Sequence, residues 1–106
     1  MSGPNPALPA EPTRADVDAL RAPTLLEFGT DWCPHCQAAQ PLIKGALAAH
    51  PQVGHIKVED GKGRPLGRSY TVKLWPTLIF LREGQEVARL VRPQSESAIR
   101  EALALL

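Results

Sequence analysis

Residues 24–30, TLLEFGT, are apolar at nearly every position, which predicts a strand buried on both faces. In QAAQPLIKGALAAH the period changes. Ala39, Leu42, Ile43, Ala46 and Leu47 recur three and four apart, on one face of a helix. Pro41 interrupts that pattern and predicts a kinked helix rather than two helices, with His50 and Pro51 ending it. A second strand is expected over 52–59, carried by Val53, Ile56 and Val58. After a connection with a short helix around 65–70, TLIFLR and QEVARLV flank Glu83-Gly84, a hairpin signal because Gly84 can take a positive φ. The chain closes on SESAIREALALL, an amphipathic helix capped by Ser95, with Ile99, Ala102, Leu103 and Leu106 on its apolar face. Ahead of the first strand, Thr13 can cap a helix over 14–21 with Val17 and Leu20 on one side.

The order α-β-α-β-(α)-β-β-α contains no internal repeat. Strands separated by helices require a parallel crossover, and the terminal hairpin adds antiparallel pairing. We therefore expect an α/β fold, a central mixed four-stranded sheet with helices on both faces. At 106 residues the chain makes one domain whose core needs neither disulfide nor metal to fold. Residues 1–12 hold four prolines and few large apolar groups, and read as a flexible Pro-rich arm ahead of a domain over 13–106.

A net charge of +1 gives no electrostatic argument for nucleic acid or an acidic membrane surface. No apolar run approaches the ~18–20 residues of a membrane span. The opening residues lack the charged start and apolar stretch of a secretory signal, so a cytoplasmic protein is expected, or a periplasmic one if a signal was removed. Gly61-Lys62-Gly63 fits neither the dinucleotide nor the P-loop spacing and reads as a plain connection.

The chemistry gathers in DWCPHC, residues 31–36, which contains both cysteines. A permanent staple is a poor reading, because the cytosol keeps thiols reduced and the loop closed would be tiny. A zinc site has the spacing C-x2-C-x13-H-x4-H through Cys33, Cys36, His50 and His55. Its context is wrong, since His50 ends a helix and His55 falls in a strand. The reactive pair fits better. Pro34 suits the first helical position, making Cys33 the helix cap and Cys36 the third helical residue. Positions three apart lie roughly 5 Å apart, within disulfide range. Unpaired N–H groups and the helix dipole favour a Cys33 thiolate by about 0.3–2 kcal/mol. A protonated His35 would add to that, and Cys36, one turn inward, is the natural resolving thiol.

TLLEFGTDWCPHC, Pro41 in the next helix, and LGRSYTVKLWPTLIFLREGQEV together resemble the thioredoxin superfamily, over about residues 14–106. The resemblance implies a thioredoxin-like fold with Pro76 cis beside the Cys pair, where neighbouring backbone holds an extended substrate. It places Trp32, Pro34, Trp75, Pro76, Thr77 and Arg92 at the substrate surface, although Trp32 could also be an ordinary core aromatic. Glu27 falls where the family carries a buried acid. In an apolar strand that carboxyl should have a raised pKa, suited to proton exchange with Cys36, unless it lies on an exposed edge. His55 takes the place of the lysine the family often sets near that acid. Pro34-His35 resembles the periplasmic disulfide oxidase more than the usual Gly-Pro, and Arg92 replaces a common groove glycine.

These readings imply a thiol–disulfide oxidoreductase, in the first instance a protein disulfide reductase. It needs no metal and no cofactor beyond the redox-active Cys33–Cys36 disulfide. Expected partners are disulfide-containing proteins or small thiol substrates and a recycling reductase, with the protein itself a monomer. A thiol oxidase or isomerase, or a binding module with idle cysteines, are the alternatives.

Overall fold

The computed structural model describes residues 11–106, so most of the predicted arm lies outside the described residues. Its last two members do not behave as an arm: Glu11 is ion-paired with Arg64, and Pro12 is buried. Packing therefore begins ahead of Thr13.

Eight elements follow in the expected order: α1 (Arg14–Asp18), β1 (Thr24–Gly29), α2 (Pro34–Ala48), β2 (Gly54–Glu59), α3 (Pro65–Ser69), β3 (Thr77–Arg82), β4 (Gln85–Val91) and α4 (Glu96–Leu103). Strand order is β2-β1-β3-β4, with β1 parallel to β2 and antiparallel to β3, and β3 antiparallel to β4. Strand β1 is central and buried throughout, as its apolar run predicts.

Alternation along the strands builds two cores. Leu25, Leu78 and Phe80 point to one face and pack against Ala39, Ile43 and Ala46 of α2 and Ile99 and Leu103 of α4. Leu26, Phe28, Ile79 and Leu81 point to the other, against Val17 of α1 and Leu66 and Tyr70 around α3. Each fully buried Leu, Ile or Phe contributes about 1.5–3 kcal/mol, so helices are held on both faces.

Several elements are shorter than the sequence suggests. Helix α1 stops at Asp18 rather than 21, and β2 starts at Gly54, because a turn from His50 closed by Val53 N–H to His50 O, 3.0 Å, precedes it. Helix α2 runs unbroken past Pro41 and ends at Ala48, two residues before His50. The Glu83-Gly84 hairpin has positive φ at both positions (52° and 78°), the requirement of the tightest two-residue turn. No described helix is long and apolar enough to cross a membrane.

Candidate active site

Strand β1 ends at Gly29 and α2 begins at Pro34, so DWCPHC bridges the end of the central strand and the start of the helix. Cys33 is the N-cap, with extended backbone (φ −79°, ψ 121°), and Pro34 is the first helical residue. The Cys36 N–H donates to Cys33 Sγ at 3.4 Å, so the sulfur does the work of a capping oxygen. Both thiols are free and nearly buried, 5% exposed at Cys33 and 4% at Cys36.

The glycine before this turn is forced by contact. A Cβ on Gly29 would come within 2.5 Å of Cys36 Sγ and 4.0 Å of Pro76 Cα. Gly29 thus marks where β1, the inner thiol and the β3 turn converge. The Trp75–Pro76 peptide is cis, as the resemblance implies. Trp32 is 69% exposed, which removes the core-aromatic reading. It meets Trp75 edge to face with centroids 5.8 Å apart, and Trp75 is fixed by donating its indole N–H to Asp60 Oδ2 at 2.9 Å. Thr77 differs from expectation. It is buried, and its hydroxyl donates to Leu74 O at 2.6 Å, so it fastens the turn and offers no side chain to a substrate.

Arg92 sits at a positive φ of 51°, which explains why a glycine would be at home there. Its backbone N–H donates to Pro76 O at 2.9 Å and its Nε to Trp75 O at 2.8 Å. Both bonds fold the residue back over the cis-proline turn.

The two thiols are pushed in opposite directions. Burial raises the Cys33 thiol, but hydrogen bonds from the Cys36 thiol and from the backbone N–H groups of Cys36 and His35, with the Arg92 charge, outweigh it and hold Cys33 below the ordinary value. Cys36 is pushed up to about 11 by burial, by the Cys33 sulfur and by the Glu27 charge, against a lowering backbone hydrogen bond at Thr30. His35 is exposed and gives Cys33 a backbone N–H, and Arg92 adds a side-chain charge. Residues two apart on a helix do not share a face.

Glu27 lies on the α2 face of β1, two residues from Leu25 and two from Gly29. It is 2% exposed, so the exposed-edge alternative falls. Its Oε1 meets His55 Nε2 at 2.7 Å and its Oε2 accepts from Gln40 Nε2 at 2.7 Å. Here too the sequence expectation is corrected. Desolvation raises the carboxyl, but the hydrogen bonds of His55 and Gln40 and the charges of His55 and Lys57 outweigh it and hold Glu27 below the usual carboxylate range.

Three members of this cluster escaped the sequence reading. Gln40 is one turn from Cys36 on α2, and Lys57 stands opposite Glu27 in the β1–β2 register and donates to Gln40 Oε1 at 3.3 Å. Thr30 has its hydroxyl buried without a partner among the described residues. They share a pocket of about 330 Å³ with Glu27, Gly29 and Cys36. Among the described residues no three His, Cys, Asp or Glu side chains gather as metal ligands. His55, one member of the zinc spacing, is engaged with Glu27.

The family model described as Thioredoxin matches residues 10–104. Among solved structures, the chain is similar to reduced thioredoxin 2 from Pseudomonas aeruginosa PAO1, with 61% identity and a TM-score of 0.82 over 92% of each chain. Among curated relatives, it is 37% identical over 68 residues to a thioredoxin of Chlamydia trachomatis, covering 63% of this chain and 66% of that protein. It is 26% identical over 77 residues to the H-type thioredoxin of Fagopyrum esculentum, covering 73% and 66%. The chain spans just under two thirds of the length of these two relatives.

Proposed function

This chain belongs to the thioredoxin family, and from that premise we propose that it is a thiol–disulfide oxidoreductase working as a protein disulfide reductase. One observation carries the reading: Cys33 caps α2 with its sulfur accepting the Cys36 N–H, beside a cis Pro76. The Cys33 thiolate attacks one sulfur of a substrate disulfide. A bond forms between Cys33 and that sulfur, and the other substrate sulfur leaves as a thiolate and takes a proton. Cys36 then loses its proton and attacks Cys33 Sγ, giving the Cys33–Cys36 disulfide and the second substrate thiol. Two electrons have passed to the substrate, and a recycling reductase must return them.

Trp32, Pro34, Trp75, Pro76 and Arg92 form the surface that meets the substrate, and the protein acts as a monomer. Net reduction needs a reducing compartment, so the cytoplasm is part of the same proposal. The chemistry uses the Cys pair itself and calls for no metal or other cofactor. Turbidimetric reduction of insulin by dithiothreitol tests the reading. The wild-type protein accelerates precipitation and Cys33→Ser does not; equal rates for the two would remove the enzymatic reading.

A further inference from the structure

Arg92 is the unusual cation of this site. Arg14, Arg64, Arg89 and Arg100 each sit within reach of a carboxylate, and Arg21, Arg68 and Arg82, which have no such partner among the described residues, are exposed to water. Arg92 is half-buried, yet no carboxylate lies within 4.0 Å of it among the described residues, and the first ten residues contain no Asp or Glu. Its Nε is committed to the Trp75 carbonyl and its backbone to the Pro76 carbonyl. The terminal Nη atoms make no hydrogen bond among the described residues. A guanidinium held in this way is pre-oriented, and its free edge presents two parallel donors that suit a carboxylate. The carbonyl that Nε holds belongs to Trp75, whose ring meets the exposed Trp32 edge to face. An aromatic wall beside an unpaired cation, both flanking the reactive sulfur, is complementary to an acidic peptide.

We propose that Arg92 is a specificity-determining residue that takes a carboxylate of the substrate, so that the protein prefers protein disulfides with an Asp or Glu next to the attacked cysteine. This rests on the oxidoreductase reading above and names its substrate class. The ion pair adds no step to thiol–disulfide exchange; it holds the disulfide against Cys33. Arg92 also acts on the Cys33 thiol, but that influence is common to all substrates and cancels in a ratio between two of them.

Two synthetic peptides with an internal disulfide, identical except for Glu or Gln beside one cysteine, provide the probe. Their reduction is followed with dithiothreitol as electron source, for wild type, Arg92→Gly and Arg92→Lys. Glycine is well suited to the positive φ, and lysine keeps the charge without the planar fork. The wild type should favour the Glu peptide about fivefold in kcat/KM at low ionic strength, mainly through KM. That ratio should fall towards one at about 0.5 M salt. Arg92→Gly should bring the ratio to that of dithiothreitol alone, and Arg92→Lys should recover part of it. Equal wild-type rates on both peptides, or an unchanged ratio in Arg92→Gly, overturn the proposal while leaving the oxidoreductase standing. Failure of wild type to exceed Cys33→Ser on either peptide overturns both. Should Arg92→Gly not fold, the salt dependence of the wild-type ratio and Arg92→Lys decide.

Discussion

Replacing Gly29 with Ala isolates the contact on which the site is built. Gly29 is not in the left-handed region, so alanine meets no backbone strain, and its lower unfolded-state entropy favours folding by about 0.4–1 kcal/mol. Against this stands a Cβ placed 2.5 Å from Cys36 Sγ, with Cys36 Cβ 3.6 Å away. An ordinary van der Waals contact begins near 3.5 Å, so about 1 Å must be found in a thiol that is 4% exposed and lies on a helix packed against the sheet. Overpacking of this kind costs typically 1–3 kcal/mol, and it outweighs the entropic gain. A net loss of about 1–2 kcal/mol is expected, a fall in Tm of roughly 4–15 °C for a domain this size. Because the moving atom is the resolving sulfur, the variant should also accumulate mixed disulfide with substrate. Thermal unfolding of the reduced protein and acid-quenched mass spectrometry of turnover read the two effects. A Tm within 1 °C of wild type together with unchanged turnover would refute the argument, since the thiol would then move freely.

Initial rates of alkylation with iodoacetamide across pH, read by peptide mass spectrometry on chains labelled only once, should show Cys33 reacting with a midpoint below that of an ordinary thiol and Cys36 with one near 11. Similar midpoints for the two would contradict the opposed environments. In urea unfolding from pH 7 to pH 3, Glu27 should contribute an acid-labile part of stability. Its folded pKa is depressed, so the contribution is complete above the unfolded value of about 4.3 and is lost as pH falls through the folded one. Glu27→Gln should flatten that acid limb; an equally steep limb in the variant would count against the Glu27–His55 pairing.

What could be read in advance followed local rules. The run at 24–30 announced a doubly buried strand, and Leu25 and Leu26 do face separate cores. Pro34 after Cys33 fixed the cap geometry, because proline's φ and missing N–H belong at the first helical position. The cluster around Glu27 could not be read in this way. Gln40 comes from α2, and His55 and Lys57 from β2, so their meeting depends on how β1 pairs with β2 and where α2 docks. The apolar strand by itself argued for a raised carboxyl, and these long-range partners reverse the sign. The charge of Arg92 was out of reach for the same reason: it follows β4 and meets the site only where its backbone bonds Pro76, ahead of β3.

The opposed thiols bear on how the proposed cycle is timed. With Cys36 pushed up to about 11 and Glu27 held below the usual carboxylate range, handing the Cys36 proton to Glu27 in the resting protein is strongly uphill. Glu27 is therefore no ready base for the resting dithiol; its charge, held by His55 and Gln40, helps keep Cys36 protonated. Two of the influences that raise Cys36 come from the Cys33 sulfur, its hydrogen bond and its charge. Both are lost once Cys33 is bonded to a substrate sulfur, because that sulfur then carries no negative charge to attract and accept the Cys36 thiol proton. In the proposed cycle, capture of the substrate thus releases the inner thiol for ionisation, beside the pocket that it lines together with Glu27. Coupling the resolving step to the mixed disulfide in this way stops Cys36 from competing as a nucleophile before a substrate is bound, and makes Cys33 the only thiolate an approaching disulfide meets.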